Sequence, residues 1–227
     1  MKRALIGLAL VAATATMSAA QAAPFVLTFE GLGDLEPVGD FYNGGLGGNG
    51  SGPGPNLGVT FSSNSLAIID ADAGGSGNFG GEPTPDTVLF FLTGPAAIMN
   101  YAAGFTDGFS FFYSAINNPG FIRVYDGLDG TGNLLAQLDL PLTPSNGAPD
   151  PSGAFSPLLP VGVGFQGVAR SIDFGGTVNQ IGFDNITFGR DAPCTGPSCQ
   201  VPEPGSLALL GLGLVGIVGS RRRRFWS

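Results

Sequence analysis

Glycine and proline punctuate this chain so densely that long regular elements have almost no room. The 227 residues contain 39 glycines and 18 prolines, the two residue types least tolerated inside a helix. Between them stand short runs of Phe, Val, Ile, Leu and Tyr, which fit a pleated, half-buried surface. With 18 phenylalanines and 43% hydrophobic residues, the chain has the apolar area to fold and is not simply disordered. The runs predict strands at 25–29, 59–62, 66–69, 87–92, 97–101, 105–113, 121–125, 134–139, 168–174 and 180–188. In the last of these, strict alternation puts Phe183 and Asn185 on one face and Asp184, Ile186 and Phe188 on the other. No window of ten or more shows a 3.6-residue period outside the two ends. Ten strands in a body of roughly 170 residues predict an all-β fold: one jelly-roll-like β-sandwich. Three glycine-rich segments, 43–58, 72–86 and 141–164, are read as loops, and residues 126–133 as a hairpin connection.

Charge is segregated along the chain. Lys2 and Arg3 open it, and Arg221, Arg222, Arg223 and Arg224 stand near its end. Between residues 23 and 200, sixteen acidic residues face only Arg123, Arg170 and Arg190. Such a body repels phosphate backbones, so nucleic acid is excluded as a partner. The chain has no histidine, which removes every mechanism needing an imidazole, the Ser-His-Asp and Cys-His types included. Lys2 is the one lysine, so no glycine-rich stretch is a phosphate loop. Sixteen carboxylates guarantee chance pairs of the glycosidase kind, and no spacing selects one. The chain is read as non-enzymatic.

Both ends read as addresses. Residues 1–22 form a signal peptide: a basic start, an apolar stretch too short to span a membrane, and Ala20 and Ala22 at the −3 and −1 positions. Cleavage is expected after Ala22, because a cut after Ala23 would put Gln21 at −3 and Pro24 just beyond. Residues 23–191 are then the sandwich domain, 192–200 a neck and 201–227 a tail. The tail begins with Pro202, Glu203 and Pro204. Residues 206–220 follow, with Leu207, Leu209, Leu210, Leu212, Leu214, Val215, Ile217 and Val218 as their larger apolar side chains, and then the four arginines. As a helix these fifteen residues reach roughly 22 Å against a ~30 Å hydrocarbon core, a gap that snorkelling arginines and local thinning can close. The arginine cluster favours the cytoplasmic side, leaving the body and the Pro-Glu-Pro step outside. Pro202 and Pro204 resist helix formation and keep that step extended for a protease.

This motif, apolar segment and basic cluster together resemble the PEP-CTERM sorting signal of exported Gram-negative bacterial proteins, over residues 201–224. The resemblance implies recognition and cutting near Pro-Glu-Pro by the membrane protease-transpeptidase exosortase. It implies a transient stay in the inner membrane and passage to the outer surface or extracellular matrix, in association with exopolysaccharide and biofilm. More loosely, the body resembles the β-sandwich domains common in such proteins, through Leu27-Thr28-Phe29-Glu30, Gly58-Val59-Thr60-Phe61 and the segment from Phe183 to Phe188.

Cys194 and Cys199 are the two cysteines. In an exported chain they are expected to form a disulfide, closed over a Gly-Pro turn, and their spacing is not that of a CxxC redox pair.

Candidate ligands are fewer. Pairing of the first and last strands would bring Glu30 near Asp184, and two carboxylates with backbone carbonyls suit a structural calcium ion. The plainer reading is a surface Glu30 and an Asp184 bonded to local amides. The stretch from Asp70 to Gly75 fails two positions of an EF-hand loop and is read as a polar turn. Tyr42, Tyr101, Tyr113 and Tyr125 are the aromatics available for a sugar platform, and the phenylalanines are read as core. The resemblance of the body to β-sandwich domains implies the alternative function, a carbohydrate-binding module gripping extracellular polysaccharide.

Overall fold

The computed structural model describes residues 25–145 and 153–193. Over these residues the protein is all-β, with twelve strands in two antiparallel sheets and no helix. In chain order the strands are β1 (Val26–Leu27), β2 (Glu36–Pro37), β3 (Val59–Phe61), β4 (Ser65–Ile69), β5 (Thr87–Phe91), β6 (Ala96–Phe105), β7 (Phe109–Ser114), β8 (Gly120–Tyr125), β9 (Leu134–Leu140), β10 (Leu159–Val163), β11 (Ala169–Gly176) and β12 (Gly182–Phe188). The seven-stranded sheet runs β10-β7-β12-β5-β4-β2, with β1 also paired to β12, and the five-stranded sheet runs β3-β6-β11-β8-β9.

Phenylalanine joins the sheets. Phe174 of the five-stranded sheet meets Phe111 and Phe183 of the seven-stranded sheet edge-on, at ring-centre distances of 5.7 and 5.2 Å, the geometry that aromatic quadrupoles favour. All of the body's phenylalanines are buried except Phe121, Phe155 and Phe165, which are half-buried.

Each of the ten expected strands is found, with four corrections. The run 105–113 is two strands, not one. Asp107 (φ 67°) and Gly108 (φ 95°) take left-handed conformations, and the chain crosses there from one sheet to the other. A Cβ on Gly108 would lie 2.5 Å from the Val163 carbonyl oxygen, so this corner requires glycine. In β12, strict alternation fails at a bulge between Asp184 and Thr187. Asn185 sits there at φ 49°, which places Phe183, Ile186 and Phe188 together in the core. Bulges re-aim the side chains that follow them. The segment 141–164 contains β10, whose Pro160 and Gly162 disguise it. It lies at the sheet edge, where proline is tolerated. The two-residue β2 also escapes a propensity reading.

The loop at 43–58 is organised by a buried acid. Glu36 is fully buried on β2. Its carboxylate accepts hydrogen bonds from the backbone amides of Gly33, Asn49 (2.9 Å) and Ser51 (3.1 Å). Burial opposes its charge, but the Ser51 side chain and these amides together outweigh burial and hold the carboxyl below its ordinary range. A Cβ on Gly47 would approach Glu36 Oε1 to 2.5 Å, so a glycine lets the loop close over the acid.

Candidate functional site

The terminal strands do pair, with Val26 opposite Thr187 and Leu27 opposite Ile186. That pairing brings Glu30, just beyond β1, close enough to Asp184 for their charges to repel. Asp184 is fully buried. Its Oδ1 accepts from the Asn185 amide at 2.6 Å and its Oδ2 from Thr84 Oγ1 at 3.0 Å. Glu30 accepts from the Thr87 amide at 3.0 Å and from Thr87 Oγ1 at 3.3 Å. Burial pushes the Asp184 carboxyl well above its ordinary range, against the bonds from Asn185 and Thr84, and the Glu30 charge adds to the rise. Burial likewise pushes Glu30 up to about 7, against the Thr87 bonds and with repulsion from Asp86 and Glu82. Glu30 thus holds its proton under mildly acidic conditions. Among the described residues no three Asp, Glu or Cys side chains converge on one metal position. The four oxygens of the pair already accept hydrogen bonds, each with a lone pair to spare. A hard cation would need carbonyls or water to complete its shell.

The other candidates separate clearly. Asp70 caps a turn, as expected: the Ala71 amide bonds its Oδ1 at 2.6 Å, and the Gly75 amide its carbonyl at 2.8 Å. Tyr42 and Tyr113 are buried and cannot form a sugar platform. Tyr42 Oη accepts from the Phe29 amide at 2.6 Å, and burial pushes its hydroxyl pKa upward. Tyr113 Oη donates to the Pro141 carbonyl at 3.2 Å. Tyr101 is half-buried among Phe25, Phe105 and Phe188. Only Tyr125 shares the outward face of the five-stranded sheet with Phe121 and Arg123, whose guanidinium lies 4.2 Å over the Phe121 ring.

A site that the sequence did not announce lies on the outer face of the seven-stranded sheet. Gly182 of β12 stands directly across from Ser114 of β7, so the position opposite Ser114 carries no side chain. That hydroxyl is 1% exposed and makes no hydrogen bond among the described residues. A cavity of about 40 Å³ opens there, lined by the apolar Phe79, Val88, Phe90 and Ile181 and by the polar Asn78, Asn179 and Gln180. Among the described residues no charged side chain lines it. The only sequence signal was a serine closing the apolar run of β7.

The expected signal peptide, the Cys194–Cys199 disulfide, Pro202, Glu203 and Pro204, the apolar segment from Leu207 to Val218 and Arg221–Arg224 lie outside the described residues. Among the described residues no helix is long and apolar enough to cross a membrane. Residues 200–224 match the PEP-CTERM protein-sorting motif. The chain thus carries that sorting signal at its C-terminus, which supports an exported protein with exosortase as its processing partner. Neither a curated protein nor a solved structure matches the chain.

Proposed function

We propose that this chain is a non-enzymatic surface or extracellular-matrix protein of a Gram-negative bacterium, associated with exopolysaccharide and biofilm. The sorting motif at residues 200–224 carries this reading. Pro202, Glu203 and Pro204 present the step that exosortase recognises. The segment from Leu207 to Val218 holds the chain briefly in the inner membrane, and Arg221–Arg224 fix its orientation. The body is cargo, and its reading as jelly-roll-like is supported by connections that mostly cross from one sheet to the other. Replacing Glu203 by Ala in producing cells is expected to trap the protein in the inner membrane, and its undiminished arrival at the surface would refute the role given to the motif.

A second reading, a carbohydrate-binding module, is favoured by the cavity beside Gly182, which Asn and Gln line and, among the described residues, no charged side chain does. A structural calcium ion at Glu30 and Asp184 is also proposed. Its support is the mutual repulsion of those two carboxyls, to which Glu82 and Asp86 add. Calcium in the millimolar range is expected to raise the melting temperature at neutral pH, and Glu30→Ala to abolish that response. Identical melts in calcium and in chelator would refute the ion.

A further inference from the structure

We propose that the cavity beside Gly182 receives the acetamido group of a neutral N-acetylated hexosamine unit in a polysaccharide, an inference that rests on the carbohydrate-binding reading. Three observations select this chemistry. First, size: a cavity of about 40 Å³ is a few times the roughly 10–15 Å³ that one water needs on the same measure, which suits a group of about four heavy atoms. Second, polarity: most lining residues are apolar, yet Ser114 Oγ stands among them without a partner. A hydrocarbon occupant would leave that hydroxyl unpaired, at a cost. An acetamido group lays its methyl against Phe90 and Ile181 and its carbonyl oxygen within reach of the Ser114 hydroxyl as donor. Third, the polar lining: Asn78 and Asn179 are exposed amides, and Gln180 is held by Asn117 and Asn118, which donate to its Oε1 at 3.3 and 3.2 Å. Asn and Gln among the lining residues, with no charged side chain among the described ones, suit sugar hydroxyls better than an ionic ligand.

The vacancy depends on residue 182 being glycine. A Cβ there would meet only Val88 Cγ2, at 3.4 Å, so Gly182→Ala is accommodated by the fold while its methyl enters the cavity. Ser114→Ala removes the donor and leaves the shape.

The test uses the full-length chain purified in detergent, with the trisaccharide of N-acetylglucosamine as probe and the trisaccharide of glucose as control. Saturation-transfer NMR and titration calorimetry read the binding. The acetamido methyl protons of the probe are expected to receive the strongest saturation. Gly182→Ala and Ser114→Ala are each expected to weaken probe binding by about tenfold or more, with thermal unfolding unchanged. If both trisaccharides bind alike and neither variant matters, the cavity assignment falls and the carbohydrate-binding reading stands. If neither trisaccharide nor extracted exopolysaccharide binds, both fall. Occupancy by a leucine-containing peptide in preference to the probe would also overturn the assignment.

Discussion

The two sheets share one core, but their outer faces differ. The outer face of the seven-stranded sheet is itself buried: Ile68, Val88, Phe90 and Phe112 form a second apolar cluster with Phe79 and Leu158 from the overlying segments. In β5 and β7 every position is buried. The outer face of the five-stranded sheet is open, so β8 alternates buried and half-buried positions and β9 has one buried residue, Leu140. The difference is written in composition. A continuous apolar run such as Thr-Val-Leu-Phe-Phe needs cover on both sides, whereas Phe-Ile-Arg-Val-Tyr needs it on one. The long glycine-rich segments are therefore in part a third layer, and the cavity beside Gly182 lies where that layer meets the sheet.

Substitutions can break this contrast, and their effects should fall in order. Phe174→Ala removes the ring that both sheets share and should cost about 4 to 5 kcal/mol in denaturant unfolding. Phe90→Ala, on the covered outer face, should cost about 3 kcal/mol, and a loss near zero would mean that the third layer does not cover the sheet. Glu36→Ala strands three loop amides around one buried position and should cost about 2 to 3 kcal/mol, with proteolysis newly directed to residues 43–58. Arg123→Ala, on the open face, should cost less than about 1 kcal/mol. A larger loss would show that this face is covered as well.

Acid sharpens a second contrast, between Glu30 and Glu36. In the folded protein Glu30 keeps its proton up to about pH 7, while the unfolded chain releases it near its ordinary 4.5. The folded state binds more protons across that window, so stability is greatest at its acid end and falls as pH rises toward 7. Glu36 is shifted the other way: its contribution is present above its ordinary value and lost as pH falls below it. The melting temperature should therefore peak in mild acid, and Glu30→Gln should flatten its decline between pH 4.5 and 7. An unchanged decline would assign the effect elsewhere, with Asp184 the next group to replace.

Much of this was legible in the sequence. Strands rich in Phe, Val and Ile announced themselves, and the meeting of Glu30 with Asp184 followed from pairing the first strand with the last. What escaped notice depended on backbone conformation or on third-layer contacts. The left-handed Asn185 reverses the faces of β12 without any change in residue type. Pro160 and Gly162 hide an edge strand. Tyr42 and Tyr113 look like surface aromatics until the fold buries them. Ser114 is unremarkable until Gly182 is placed opposite. The tail is the converse case, because Pro-Glu-Pro, an apolar segment and four arginines speak through order along the chain alone.

Sorting through the C-terminus leaves its mark on the intact mass of the protein recovered from the surface of producing cells. The mature species should lack residues 1–22 at one end and everything beyond the Pro202-Glu203-Pro204 step at the other. A surface form that still carries Arg221–Arg224 would contradict it.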